Sequence, residues 1–147
     1  MTRALDAGEV ARRINEARAG AVVVSNDTDV WVELDALVDV AGFLKDTPDL
    51  DFAFLTAVSA VDYIEYFELV YQLLSMRRNH SIVVKTRAFG REEPVVPSLV
   101  HLWPGADLQE REIWDLMGIR FDKHPNLKRI LLWEGFPGHP LRKDYLG

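Results

Sequence analysis

The chain of 147 residues contains no cysteine. Thiolates hold iron–sulfur clusters and Cys-rich zinc sites and act as the nucleophiles of thiol enzymes, so these functions are excluded along with any disulfide. Any redox role must rest with a partner. Long apolar runs are also missing. The most continuous, Phe52 to Val61, has the length of a strand and falls far short of the roughly 20 residues that a membrane-spanning helix needs. Catalytic templates are absent too: there is no Gly-x-Gly-x-x-Gly after a strand, no Gly-Lys-Ser/Thr phosphate loop and no Gly-x-Ser-x-Gly elbow. His80, His101, His124 and His139 are scattered, with no local ligand pair, so their expected roles are structural or interfacial. The N-terminus brings Asp6, Glu9, Arg12 and Arg13 where a signal peptide would have its apolar stretch, which leads us to expect a cytosol-facing protein.

What the chain does have is enough apolar material, 48% hydrophobic against 27% charged residues, to build one folded domain. Its formal charge of −6 is unevenly spread. Between Arg120 and Gly147 six basic residues (Arg120, Lys123, Lys128, Arg129, Arg142, Lys143) face three acidic ones (Asp122, Glu134, Asp144), so an acidic body carries a basic tail. Such a tail seeks an anionic surface on a protein, a nucleic acid or a membrane. Nucleic acid is disfavoured, because the chain is acidic overall and the tail's cations form no stripe. A protein partner fits better: Arg129, Arg142, Trp133 and Phe136 are of the types that anchor interfaces, and nearby prolines lower the entropy of ordering. A freestanding binding module for RNA or an anionic membrane surface is the alternative.

Periodicity yields the elements. Asp6 and Glu9 have the spacing of a helix cap before Val10, Ile14 and Ala17, with Gly20 as the stop. The β-branched runs at 22–24 and 30–32 flank a polar turn and predict a hairpin. Asp35 is expected to cap a second helix, with Leu37, Val40, Ala41 and Leu44 on its inner face and Thr47-Pro48 at its end. Three strands follow at 52–61, 66–75 and 80–89, antiparallel because no crossover helix separates them, and the most apolar, 52–61, is expected at the centre. Asp107 and Glu110 are expected to cap a third helix that buries Ile113, Leu116 and Met117 and ends at Gly118. On its other face, Arg111 stands one turn from both Asp107 and Asp115, a spacing that lets one arginine bridge two carboxylates. The fold class is therefore α+β: an antiparallel or mixed sheet of about five strands with helices on one face. We expect a body at 1–118 and, at 119–147, a Pro/Gly-rich but apolar arm that lies on something.

Glu110, Glu112 and Asp115 are the carboxylates close enough in sequence to suggest acid–base work. Helical geometry sets Glu110 and Glu112 on different faces, and an ion-pair network around Arg111 is the simpler account of the rest.

From Glu110 onward the chain reads Glu110-Arg111-Glu112, then Asp115-Leu116-Met117-Gly118-Ile119, His124-Pro125, Leu127, Arg129-Ile130-Leu131 and Gly138-His139-Pro140-Leu141-Arg142-Lys143-Asp144. This run resembles the 30 kDa subunit family, the C subunits, of respiratory NADH:quinone oxidoreductase, complex I. Upstream, the element order and Asp62-Tyr63 after a strand are similar. The resemblance implies a non-catalytic accessory subunit of the peripheral, hydrophilic arm of a proton-translocating enzyme. It implies no cofactor in this chain, with FMN, iron–sulfur clusters and quinone held by partner subunits. The partner it implies is the large hydrogenase-related subunit of the quinone site, with other peripheral-arm subunits, on the cytoplasmic side of the cell membrane. Equivalent subunits of membrane-bound hydrogenases and ferredoxin-dependent complexes are the alternative. Subunit contact, not catalysis, is the role so implied for Glu110, Arg111, Glu112, Asp115, Gly118, His124, Pro125, Arg129, His139, Pro140, Arg142, Lys143 and Asp144.

Overall fold

The computed structural model describes residues 2–146. A short strand β1 (Arg3–Ala4) leads to helix α1 (Ala7–Ala17), which Asp6 caps through a bond accepted from the Gly8 N–H at 3.0 Å. The helix closes one residue earlier than a Gly20 stop requires, with Arg18 as C-cap, and the chain then turns at Gly20 (φ +78°). Strands β2 (Val22–Ser25) and β3 (Asp29–Val32) form the expected hairpin. Its turn is tied by the Asn26 carboxamide, which accepts from the N–H groups of Thr28 and Asp29. A 3-10 turn at Leu34–Ala36 precedes helix α2 (Leu37–Asp46), so Asp35 lies inside that turn and caps nothing. Burial of Leu37, Val40, Ala41 and Leu44 fixes this helix, in keeping with the rule that packing an apolar face outweighs local signals.

Strands β4 (Phe54–Asp62), β5 (Phe67–Ser75) and β6 (His80–Ala88) pair antiparallel, and β3 and β1 both run parallel to β6. The order β2-β3-β6-β5-β4 makes a six-stranded mixed sheet with β6 inside and β4 at an edge. The expectation of a central β4 is therefore wrong. Its apolarity reflects cover by a helix on one face, not neighbours on both sides. The edge is blunted by Gln109, whose side-chain oxygen accepts the Val58 N–H at 2.7 Å.

Alternation along the strands separates two faces. Val30, Val32, Leu55, Val58, Leu69, Tyr71, Ile82 and Val84 point into one continuous core with the buried residues of all three helices. The opposite face carries Trp31, Gln72, Lys85 and Arg87, half-buried or exposed. Two three-residue strands that no sequence signal announces, β7 (Val95–Pro97) and β8 (Arg120–Asp122), pair in parallel on either side of helix α3 (Ala106–Met117) in the chain. Ile119 and Phe121 are buried there, so the C-terminal segment is rooted in the core.

Candidate functional site

Helix α3 organises the region where the sequence signature lies. It starts at Ala106 with Gly105 as an N-cap that makes no side-chain bond, so Asp107 is not the cap. Glu110 does not reach back to it either. It is fully buried and accepts from the Ser98 hydroxyl at 2.6 Å and the Leu99 N–H at 2.9 Å. Burial pushes its pKa upward, against the pull of these two donors. Asp107 instead meets His124, whose Nε2 stands 3.0 Å from the carboxylate.

Asp115, one turn beyond Arg111, is also fully buried. One carboxylate oxygen accepts three successive backbone N–H groups, from Ile130, Leu131 and Leu132, at 3.1, 2.7 and 2.9 Å. The other accepts from Arg129 at 2.9 Å. Burial alone would raise its pKa, but these four donors prevail and hold it below the ordinary carboxylate range. Arg129 then donates onward to the carbonyls of Phe136 and Gly138, at 2.9 Å each. A single ion pair thus closes the loop 129–138. Arg111 does not bridge Asp107 and Asp115 as the spacing suggests; it donates to the carbonyls of Lys128 and Arg129. The reason is saturation, since the returning chain already fills both oxygens of Asp115.

The last residues lie back along the helix end and the sheet. His139 Nδ1 sits 2.9 Å from the Asp115 carbonyl, with its ring 5.0 Å from that of Trp114. The Leu141 N–H donates to Leu116 O, and Arg142 reaches the carbonyls of Met117 and Arg91. The Lys143 N–H donates to Asp62 at 2.9 Å, and Arg91 grips the same carboxylate at 2.5 and 2.9 Å. Asp144 is held by Arg142 and Arg91. Both guanidiniums also stand over the Phe67 ring, at 4.7 and 5.2 Å. The Arg91 bond keeps Asp62 far below the usual carboxylate range, and Arg142 lowers Asp144 to about 2. Sequence reasoning passes over Arg91 and gives Asp62 no part here, because the contact of Asp62 with Lys143 spans 81 residues.

Of the signature residues, Glu110, Asp115 and Gly118 are buried, and Arg111, His124, Arg129, His139, Pro140 and Arg142 are half-buried. Glu112 and Pro125 are exposed, and Lys143 and Asp144 lie at the surface. Gly118 is the left-handed C-cap (φ +73°), and a Cβ placed on it would stand 2.7 Å from the His139 ring. Gly118→Ala should therefore cost roughly 1–2 kcal/mol for the backbone alone and more for the displaced ring. Urea unfolding measures the loss, and enhanced proteolysis after residue 130 reports the freed segment. Beside these internal bonds, the segment exposes Ile130, Leu131, Trp133 and Leu141, with Leu131 61% and Trp133 65% exposed. Among the described residues no group of three or more His, Asp or Glu is placed to hold a metal ion, and no helix is long and apolar enough to cross a membrane.

Comparison with known proteins decides the family. Residues 30–147 match the family model described as the respiratory-chain NADH dehydrogenase 30 Kd subunit. The chain belongs to this family. Relatives agree: the NADH-quinone oxidoreductase C subunit of Roseiflexus castenholzii is 45% identical over 148 residues, which cover 96% of this chain and 84% of that protein. Its counterpart in Brucella ovis is 42% identical over 141 residues, 94% of this chain and 69% of the relative. A chain of the membrane-bound sulfane sulfur reductase, an archaeal respiratory membrane complex, shares the fold with a TM-score of 0.77, over 96% of this chain and 86% of that one, at 23% identity. For this member of the 30 kDa family, the match takes in β3 to β8, helix α3 and the whole clasp between α3 and the C-terminal segment.

Proposed function

We propose that the chain is a non-catalytic subunit in the peripheral arm of a proton-translocating NADH:quinone oxidoreductase, seated against the large quinone-site subunit by the outer surface of residues 119–147. In this reading the flavin, iron–sulfur clusters and quinone belong to partner subunits, and the chain sits peripherally on the cytoplasmic side of the membrane. Family membership supports the enzyme complex. The carrying observation for the docking surface is the exposure of Leu131 and Trp133 on a loop whose backbone is fixed from beneath by Asp115 and Arg129. A rigid aromatic and aliphatic pair loses little entropy on binding and is of the kind that dominates interface energetics. The buried signature residues then act indirectly: Glu110, Asp115, His124, Arg129, His139 and Arg142 shape the surface that Leu131, Trp133 and Leu141 present. Lys123, Lys128 and Lys143, which make no ion pair among the described residues, supply its positive charge.

Purification tests the non-catalytic part. The chain alone should carry no flavin or iron and should not oxidise NADH, while a tagged copy expressed in its host should draw quinone-reductase activity out of detergent-solubilised membranes. Stoichiometric cofactor or turnover in the isolated chain would contradict the proposal.

A further inference from the structure

Two adjoining grooves of about 440 Å³ each share Glu33 and Leu34. One is walled by Val23, Trp31, Val32 and Phe89, the other by Val95 and Pro97 with Asp35 and Asp122 at its rim. Phe89 and Val23 are 68% and 53% exposed, so apolar surface is open to solvent here. Among the described residues the side chains of Glu33, Asp35 and Asp122 take part in no ion pair or hydrogen bond. Among the described residues Arg87 is the one cation lining either groove; its guanidinium lies over the Tyr66 ring, and its Nε, 3.5 Å from Glu68, makes no hydrogen bond. The nearby Arg120 lines a further cleft with Glu92, Glu93, His139 and Arg142, which meets the second groove at Val95.

We infer that this surface docks a segment of a partner protein in which lysine or arginine alternates with aliphatic side chains. The apolar floor takes the aliphatic groups, and the three unpaired carboxylates receive the cations. Charge complementarity selects this occupant: an acidic or neutral segment would leave three carboxylates facing apolar cover without counter-charge. The segment does not extend the sheet. Asn15 takes the Val22 N–H of edge strand β2 at 3.1 Å, and the β2–β3 register breaks between Val22 and Val24, so the edge offers no regular row of donors. No lining residue of the grooves belongs to helix α3, and of residues 119–147 Asp122 alone takes part, so this docking is set apart from the Leu131 and Trp133 surface and opposite to it in charge.

The test titrates the full chain with a fluorescent amphipathic peptide built only of leucine and lysine, and with its leucine–glutamate counterpart. Glu33→Lys with Asp35→Lys should weaken binding of the lysine peptide at least about tenfold, as should Phe89→Ala in part. The same charge change made elsewhere, Asp27→Lys with Asp46→Lys, should leave the affinity unaltered, and the glutamate peptide should not bind. Should the double lysine variant fail to fold by near-UV circular dichroism, Glu33→Gln with Asp122→Asn asks the same question without adding charge. Equal loss in the Asp27/Asp46 control, or unchanged affinity in the groove variants, would overturn the proposal. So would a chain dimer in sedimentation that Glu33→Lys dissolves, since the occupant would then be a second copy.

Discussion

Asp115→Ala should destabilise the protein by about 3–5 kcal/mol, the usual cost of removing one partner from a buried ion pair, and should release the loop 129–138 before the sheet unfolds. The expected size follows from what the carboxylate holds. It neutralises Arg129 and satisfies three consecutive backbone N–H groups, all of which would be left without an acceptor. Hydrogen exchange should show Ile130, Leu131 and Leu132 losing protection while β5 and β6 keep theirs. Acid provides the same test without mutation. Asp115, Asp62 and Asp144 all have folded pKa values below those of the unfolded chain, Asp144 at about 2. Their stabilisation is therefore complete above the ordinary carboxylate pKa of about 4 and is lost as pH falls through the folded values. The clasp should loosen from about pH 4 downward, the loss falling between that value and the lowered folded values of these carboxylates. Constant exchange protection at 130–132 across that range would show that the carboxylates do not hold the loop.

The double substitution Leu131→Asp and Trp133→Asp should do the reverse, leaving the fold intact and abolishing incorporation into the complex. Both side chains are largely exposed and lie outside the core, Trp133 meeting the Phe136 ring edge-on, so their effect on folding should stay at about 1 kcal/mol. At an interface each buried anchor of this type contributes about 2 kcal/mol or more, which is roughly a 30-fold loss of affinity per residue. Thermal unfolding of the purified variant, set beside the yield of tagged complex from solubilised membranes, separates the two effects. Loss of both would make the loop a core element; loss of neither would place the interface elsewhere.

The contrast between these variants shows which parts of the molecule the sequence discloses. Helical stripes such as Val10-Ile14 and Leu37-Val40-Ala41-Leu44, and the alternation along β5 and β6, report the buried face directly, so the α+β class with helices on one side follows from them. Periodicity says nothing about how many neighbours a strand has, which is why an apolar β4 can sit at an edge. Strands β7 and β8 are three residues long, too short to leave a pattern. Partner choice is the least legible feature. Helical spacing offers Asp115 to Arg111, but tertiary return delivers Arg129 and three backbone donors to it, and no local rule weighs a neighbour one turn away against a chain that comes back 14 residues later. The signature at 110–144 identifies the family, but it marks mostly residues whose bonds hold the C-terminal segment to helix α3 and the sheet. Leu131 lies inside that run with nothing to single it out, and Trp133 stands out only by its residue type.

The most direct test of the central claim is site-specific cross-linking in the assembled complex. With a photoreactive amino acid in place of Trp133, irradiation of solubilised membranes should join this chain to the large quinone-site subunit in high yield. A chain that assembles normally but cross-links only to itself, or to a different subunit, would contradict the account.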